Sequence, residues 1–181
     1  MKRLLAAVAV CAALAAPAFA ALKPGAAAPD FTSTAYLAGK ATPFKLSSQL
    51  KKGPVVLYFF PAAFTDGCTI EAHEFAQATP DFQAMGATVI GVTAGKTDQL
   101  AAFSKEACRD KFAVAAVSKE TIKAYDATLV VKPDLSSRTS YVIAPDGKVI
   151  FAYSNLTNPV EHITRTKAAV KAWRAAQPKK K

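Results

Sequence analysis

Cys68 stands where a thiol could do chemistry. It follows an apolar run, Pro54 to Phe60, then a break at Pro61 and the turn formers Thr65, Asp66 and Gly67. The spacing predicts a helix from about Cys68 to Ala78. The start of a helix presents amide N–H groups without carbonyl partners and the positive end of the helix dipole. Both favour thiolate over thiol, and the thiolate is the nucleophile of cysteine chemistry. A buried, inert cysteine used as a small apolar residue fits this polar turn poorly. His73 is five residues beyond Cys68 and so turns to another helix face, and no other cysteine or histidine lies nearby in sequence. His73 and His162 therefore read as ordinary helix residues, with no metal ligand set.

The elements that must hold Cys68 can be read on either side of it. "PVVLYFF" (Pro54–Phe60) is a continuous β-rich apolar run, as in a central strand covered on both faces. "FTSTAYL" and "TPFKLSSQL" read as short strands before it, and "ATVIGVTA" and "AVAAVS" as buried strands after it. "TDQLAAFSKEACRDKF" reads as a helix with Thr97 as N-cap, continuing to about Asp110 and carrying Cys108. "KETIKAYD" reads as a short helix. "RTSYVIAPDGKVIFAYS" reads as two strands around the Pro145-Asp146-Gly147 turn. Pro159 to Ala176 reads as an amphipathic helix with Val160, Ile163, Lys167, Val170 and Trp173 close to one stripe. Alternating strands and helices followed by a hairpin predict an α/β chain, with a central mixed β-sheet flanked by helices on both faces.

The chain has 181 residues, a length that suits one domain. Its N-terminus reads as an export signal: Lys2 and Arg3, an apolar stretch, a break at Pro17, and Ala18-Phe19-Ala20 as a cleavage site. Cleavage after Ala20 would remove Cys11 and leave residues 21–181 as a single exported domain, with a formal charge of +8 in place of +10. Val10 before Cys11 does not fit lipid attachment, and no other segment is apolar enough to span a bilayer. The expected location is a bacterial periplasm. A basic balance can signal nucleic acid, but export argues against it, and Lys179-Lys180-Lys181 reads as a solvated tail. Two cysteines in an oxidising compartment raise the alternative of a structural Cys68–Cys108 disulfide.

Pro61, Thr65 and Cys68 form P-x-x-x-T-x-x-C, which resembles the peroxidatic signature of the peroxiredoxins. With proline near 5% of residues and threonine similar, chance supplies both neighbours of a cysteine about once in several hundred cases. The resemblance extends to Glu71 and to Arg138 at the head of "RTSYVIAPDGKVIFAY", and covers nearly all of residues 22–176. It is closest to the Q-type, bacterioferritin-comigratory-protein-like branch, because Thr69 rather than proline follows Cys68. It implies a thioredoxin-like fold and a thiol-dependent peroxidase without metal, haem or flavin. By the same resemblance, Thr65 would bridge thiolate and peroxide. Arg138 would hold sulfur and peroxide oxygen, Pro61 would shield the thiolate, and Glu71 would hold the arginine. The partners implied are a hydroperoxide and a thioredoxin-like dithiol reductant, with the protein a monomer or weak dimer.

Many Q-type members carry a resolving cysteine five residues after the peroxidatic one, where this chain has His73. Cys108 could resolve the sulfenic acid within the chain, a cysteine of another subunit could do so, or an external thiol could act directly. Some Q-type members place a resolving cysteine on the helix that carries Cys108. A disulfide needs Cα atoms about 4.4–6.8 Å apart, so this route asks the first turn after Cys68 to unwind and the Cys108 end of its helix to fray. No CxxC or CxxxC pair exists, and Thr139 stands where thioredoxins place a cis-proline. Both features count against the other alternative, a thiol–disulfide oxidoreductase.

Overall fold

The central strand β3 (Val55–Phe59) is buried at every position. Its side chains alternate between two cores. Val55, Leu57 and Phe59 face one that contains Leu46, Leu50, Ile122 and Tyr125. Val56 and Tyr58 face the other, with Ala72, Phe75, Phe103 and Val170. Each such apolar side chain contributes about 1.5–3 kcal/mol when removed from water. A strand apolar on both faces therefore belongs at the centre of a sheet with a layer on either side.

The computed structural model describes residues 21–178. The export signal read over residues 1–20, Cys11 within it, and the Lys179–Lys181 tail lie outside the described residues. The remaining strands are β1 (Thr32–Leu37), β2 (Lys40–Lys45), β4 (Thr88–Thr93), β5 (Ala113–Ala116), β6 (Thr139–Ile143) and β7 (Val149–Ser154). The sheet has seven strands in the order β2-β1-β5-β4-β3-β6-β7. Pairs β3–β4 and β4–β5 are parallel, while β6 lies antiparallel to β3, with Phe59 opposite Thr139. Helices α2 (Asp66–Ala84), α3 (Leu100–Glu106) and α5 (Pro159–Ala176) supply the layer on the Tyr58 side. Helices α1 (Leu46–Leu50) and α4 (Lys119–Ala124) contribute to the other. This is the expected mixed sheet with helices on both faces. Among the described residues no helix is long and apolar enough to cross a membrane.

Four local expectations are corrected. The second half of "TPFKLSSQL" is helical, because Leu46 and Leu50 lie one turn apart and bury together in the core that Leu57 faces. Helix α2 begins at Asp66 and continues through Pro80, so Cys68 is its third residue. Its length is set by Phe75, Ala76, Thr79 and Phe82, which keep helical spacing and all bury. Thr97 opens a short 3-10 turn and caps nothing with its side chain, and α3 stops at Glu106, before Cys108. The stripe of α5 is His162, Ile163, Thr166 and Val170. Val160 is exposed, and Lys167 points out to pair with Asp81.

Candidate active site

The loop from Phe60 to Thr65 sits at the carboxyl ends of the parallel strands and is held from two sides. On the β4 side, the Phe60 amide donates to Val92 O (3.1 Å), and Thr93 Oγ1 donates to Pro61 O (3.0 Å). On the β6 side, Ser136 Oγ donates to Phe60 O at 2.7 Å. Gly95 allows this seating, since a Cβ there would lie 2.3 Å from Pro61 O. Phe64 takes the left-handed region (φ 56°) and turns the chain into α2. Thr65 is extended at the N-cap, and its hydroxyl donates to Ala62 O at 3.2 Å rather than to the helix.

The third helical residue, Cys68, points inward and is only 1% exposed. Arg138 meets it from the head of β6. Alternation along "RTSYVI" sends Tyr141 and Ile143 to the far core and Val142 to the near one. Arg138 and Ser140 therefore lie on the same side as Val142, under α2 and α5. Arg138 is 4% exposed, and its guanidinium is divided three ways. Nη2 donates to Cys68 Sγ at 3.7 Å, Nη1 donates to Glu71 Oε2 in an ion pair, and Nε donates to Leu156 O at 3.1 Å. Gly67 makes room for it: a Cβ at Gly67 would stand 2.9 Å from Nη2.

Glu71 lies one turn after Cys68, fully buried, and its Oε1 has no hydrogen-bond partner. Burial pushes its carboxyl up to about 8, against the pull of the Arg138 charge and hydrogen bond. Burial also works against the Arg138 charge, but Glu71 and Cys68 outweigh it and hold that pKa above the ordinary value.

The second thiol occupies the same core as the first. Cys108 is fully buried, two residues past α3, not at a frayed surface end of a helix. Phe103 O accepts the amides of both Ala107 and Cys108 (3.0 Å each), which widens and ends the last turn. Arg109 and Asp110 follow with φ of 50° and 57°, two successive left-handed residues. Burial, with the Asp110 charge, holds the Cys108 thiol well above its ordinary pKa. Both thiols are free.

The sequence reading brought Cys68, Glu71 and Arg138 forward, and the fold puts them in contact. Pro61 and Thr65 lie in the loop just before them. Thr93, Gly95, Ser136 and Leu156 went unread. Gly67 was read as a turn former, and its closeness to the Arg138 guanidinium was not. His162, read as an ordinary helix residue, is fully buried instead. Its Nδ1 lies 2.8 Å from Ser140 Oγ and its Nε2 lies 2.9 Å from Asn155 O. His73 is half-buried on α2.

A family model described as the AhpC/TSA family matches residues 24–152. The chain belongs to the AhpC/TSA family. A Mycobacterium tuberculosis (strain CDC 1551 / Oshkosh) protein that carries the peroxiredoxin name is 32% identical over 137 residues, covering 74% of this chain and 88% of its own. Peroxiredoxin Q, chloroplastic, of Sedum lineare is 30% identical over 119 residues, or 66% of this chain and 64% of its own. The crystal structure of the peroxidoxin BcpB from Mycobacterium tuberculosis superposes with a TM-score of 0.74 at 29% identity, covering 83% of this chain and 97% of that one. Enterococcus faecalis AhpC, at 17% identity and a TM-score of 0.73, shares the fold. This AhpC/TSA chain is thus a peroxiredoxin of thioredoxin fold, an enzyme of the thiol-dependent peroxidase class.

Proposed function

We propose that Cys68 is the peroxidatic cysteine of this peroxiredoxin and that Arg138 is its electrostatic partner. The observation that carries the reading is Arg138 Nη2, 3.7 Å from the Cys68 sulfur, with both side chains almost wholly withdrawn from water. The thiolate sulfur attacks one peroxide oxygen, the O–O bond breaks, and the second oxygen leaves as hydroxide or alkoxide and takes up a proton. The cysteine becomes a sulfenic acid. Charge develops on the departing oxygen, where preorganised donors act most strongly. The guanidinium and the first-turn amides of α2 supply such donors. The Thr65 hydroxyl, at the loop–helix junction, is the group we assign to bridging peroxide and sulfur, and Pro61 the one that walls the thiolate from water. Glu71 holds the guanidinium from the opposite side.

Cys108 is the resolving cysteine in this reading. Its thiol condenses with the sulfenic acid, water leaves, and a Cys68–Cys108 disulfide remains for an external dithiol of thioredoxin type to reduce. Burial holds the Cys108 thiol protonated, so it attacks only once its segment opens. The left-handed pair Arg109 and Asp110 supports that step, because such residues sit about 1–2 kcal/mol above helical ones. We assign residues 1–20 to export and the mature enzyme to the periplasm as a monomer or weak dimer. N-terminal sequencing of the fractionated protein tests the export assignment, with Ala21 as the expected first residue.

The decisive experiment is peroxide consumption with dithiothreitol as reductant. Cys68→Ser is expected to abolish fast consumption, and equal slow peroxide loss with and without Cys68 would reject the reading. Peptide mapping of the peroxide-treated wild type is expected to recover a Cys68–Cys108 link. If no link forms and Cys108→Ser turns over normally, resolution belongs to an external thiol.

A further inference from the structure

Arg138 can act on Cys68 only if its guanidinium is aimed, and two of its three contacts do the aiming. One is Glu71. The other is the Leu156 carbonyl, which belongs to a short strap between β7 and α5 and has no side chain of its own to fix it. The strap is pinned at Asn155. The Asn155 amide donates to Arg138 O at 3.1 Å, closing a loop back onto the arginine's own backbone. The Asn155 side-chain oxygen accepts the amides of Thr157 (3.0 Å) and Asn158 (3.1 Å), turning the chain toward α5. The Asn155 carbonyl lies 2.9 Å from His162 Nε2, one turn inside that helix.

A carbonyl accepts only, so His162 Nε2 carries the proton and donates. In the neutral ring Nδ1 is then an acceptor, and Ser140 Oγ, 2.8 Å away, donates to it. The ring therefore spans from β6 to the strap, both ends bonded, wholly buried. The charged and titratable groups around it are Glu71 on α2, with Oε1 3.8 Å from Nδ1, Arg138, and Glu161 and Arg165 on its own helix. The Tyr153 ring of β7 stands edge-on at 4.8 Å. Burial, with the Arg138 charge, brings the ring's pKa down to about 4 against the Asn155 bond, so it stays neutral in the working range.

We propose that His162 is a positioning residue for the peroxidatic site: through the Asn155 carbonyl it fixes the strap whose Leu156 carbonyl aims Arg138 at the Cys68 sulfur. The inference rests on the reading of Cys68 and Arg138 given above. Without the Nε2–H donor, the Asn155 peptide can turn, Leu156 O leaves Arg138 Nε, and the guanidinium loses one of its two fixed points.

The test compares the wild type, His162→Leu and His162→Gln in the full chain. It measures the second-order rate of Cys68 oxidation by hydrogen peroxide separately from disulfide reduction by dithiothreitol. His162→Leu is expected to slow oxidation roughly 10–100-fold, the scale of a misplacement of about 1 Å, and to leave reduction unchanged. His162→Gln, whose amide N–H can reach the same carbonyl, is expected to recover most of the loss. The control Ile163→Ala, in the same buried stripe, is expected to lower stability without slowing oxidation. Oxidation by His162→Leu within about twofold of the wild type, or no recovery by His162→Gln, overturns the inference. Should His162→Leu fail to fold, the side-chain ¹⁵N spectrum of the wild type decides. A neutral Nε2–H ring supports the proposal, and an Nδ1–H ring or a protonated ring at neutral pH overturns it. A wild type whose Cys68 is not oxidised rapidly rejects the peroxidase reading instead, whatever the variants do.

Discussion

One guanidinium serves three acceptors: a sulfur, a carboxyl and a backbone carbonyl. An arginine can do this because its planar fork fixes the direction of each N–H, which a lysine cannot reproduce. The cost is that nothing may crowd it. Gly67 is the neighbour that matters most, because a methyl group there would stand 2.9 Å from Nη2, and the guanidinium is tethered by Glu71 and Leu156 and cannot simply swing away. Gly67→Ala is therefore expected to slow peroxide oxidation of Cys68 by roughly 10–100-fold. Circular dichroism is expected to stay unchanged, since alanine is the better helix former. Stopped-flow oxidation of the reduced protein checks this. A rate equal to the wild type would mean that the guanidinium does not act from where it stands.

Helix α2 carries both Cys68 and Glu71 and runs on through Pro80. A proline this far inside a helix removes one amide donor and presses its ring on the carbonyl four residues back, here that of Ala76. The packing of Phe75 and Phe82 on either side holds the helix together across it. Pro80→Ala should restore the missing bond. Part of the helix penalty of about 3 kcal/mol is returned by the freer unfolded chain, about 0.4–1 kcal/mol. A net gain of roughly 2–2.5 kcal/mol in urea unfolding is expected, with unchanged peroxidase activity, because Pro80 lies more than three turns from Cys68. The segment after α3 differs in kind. Its left-handed residues are the exposed Arg109 and Asp110, next to a buried thiol, and the resolution step proposed above asks for a local opening there.

At the scale of the whole molecule, Cys68 and Cys108 belong to one of the two cores, and the buried Glu71 carboxyl sits beside Cys68. Its consequence for stability has a definite sign. Glu71 titrates near about 8 when folded and near the ordinary carboxylate value when unfolded, so between these the folded state binds the extra proton. Stability from this group is complete below the unfolded pKa and is lost as pH rises through the folded one. Between pH about 5 and about 7.5 the slope contributed by one such proton approaches −1.4 kcal/mol per pH unit. Glu71→Gln removes the titration. Urea midpoints across that range are expected to fall less steeply with pH in the variant than in the wild type. Parallel slopes would mean that Glu71 is ionised throughout and that Arg138 holds it so.

The strand, turn and helix around Cys68 and the hairpin after Arg138 were legible in the chain. They depend on local matters: a thiol after a turn, a run apolar on both faces, an Asp-Gly turn between alternating strands. The β-helix junction at Leu46 and the passage of α2 through Pro80 were not, because burial against distant residues overrode local preference. Cys108 was read on a surface helix and is a core residue, since only the packing of Phe103 and Phe112 beneath it decides that. His162 shows the same limit: one histidine in a helix has no pattern, and its role appears only when β6, the Asn155 strap and α5 converge on it. The order of residues along this protein determined which groups could react. Where the guanidinium points, which carboxyl shares it and which peptide steadies it were decided by contacts between segments some twenty to seventy residues apart, a range at which spacing along the chain carries no geometry.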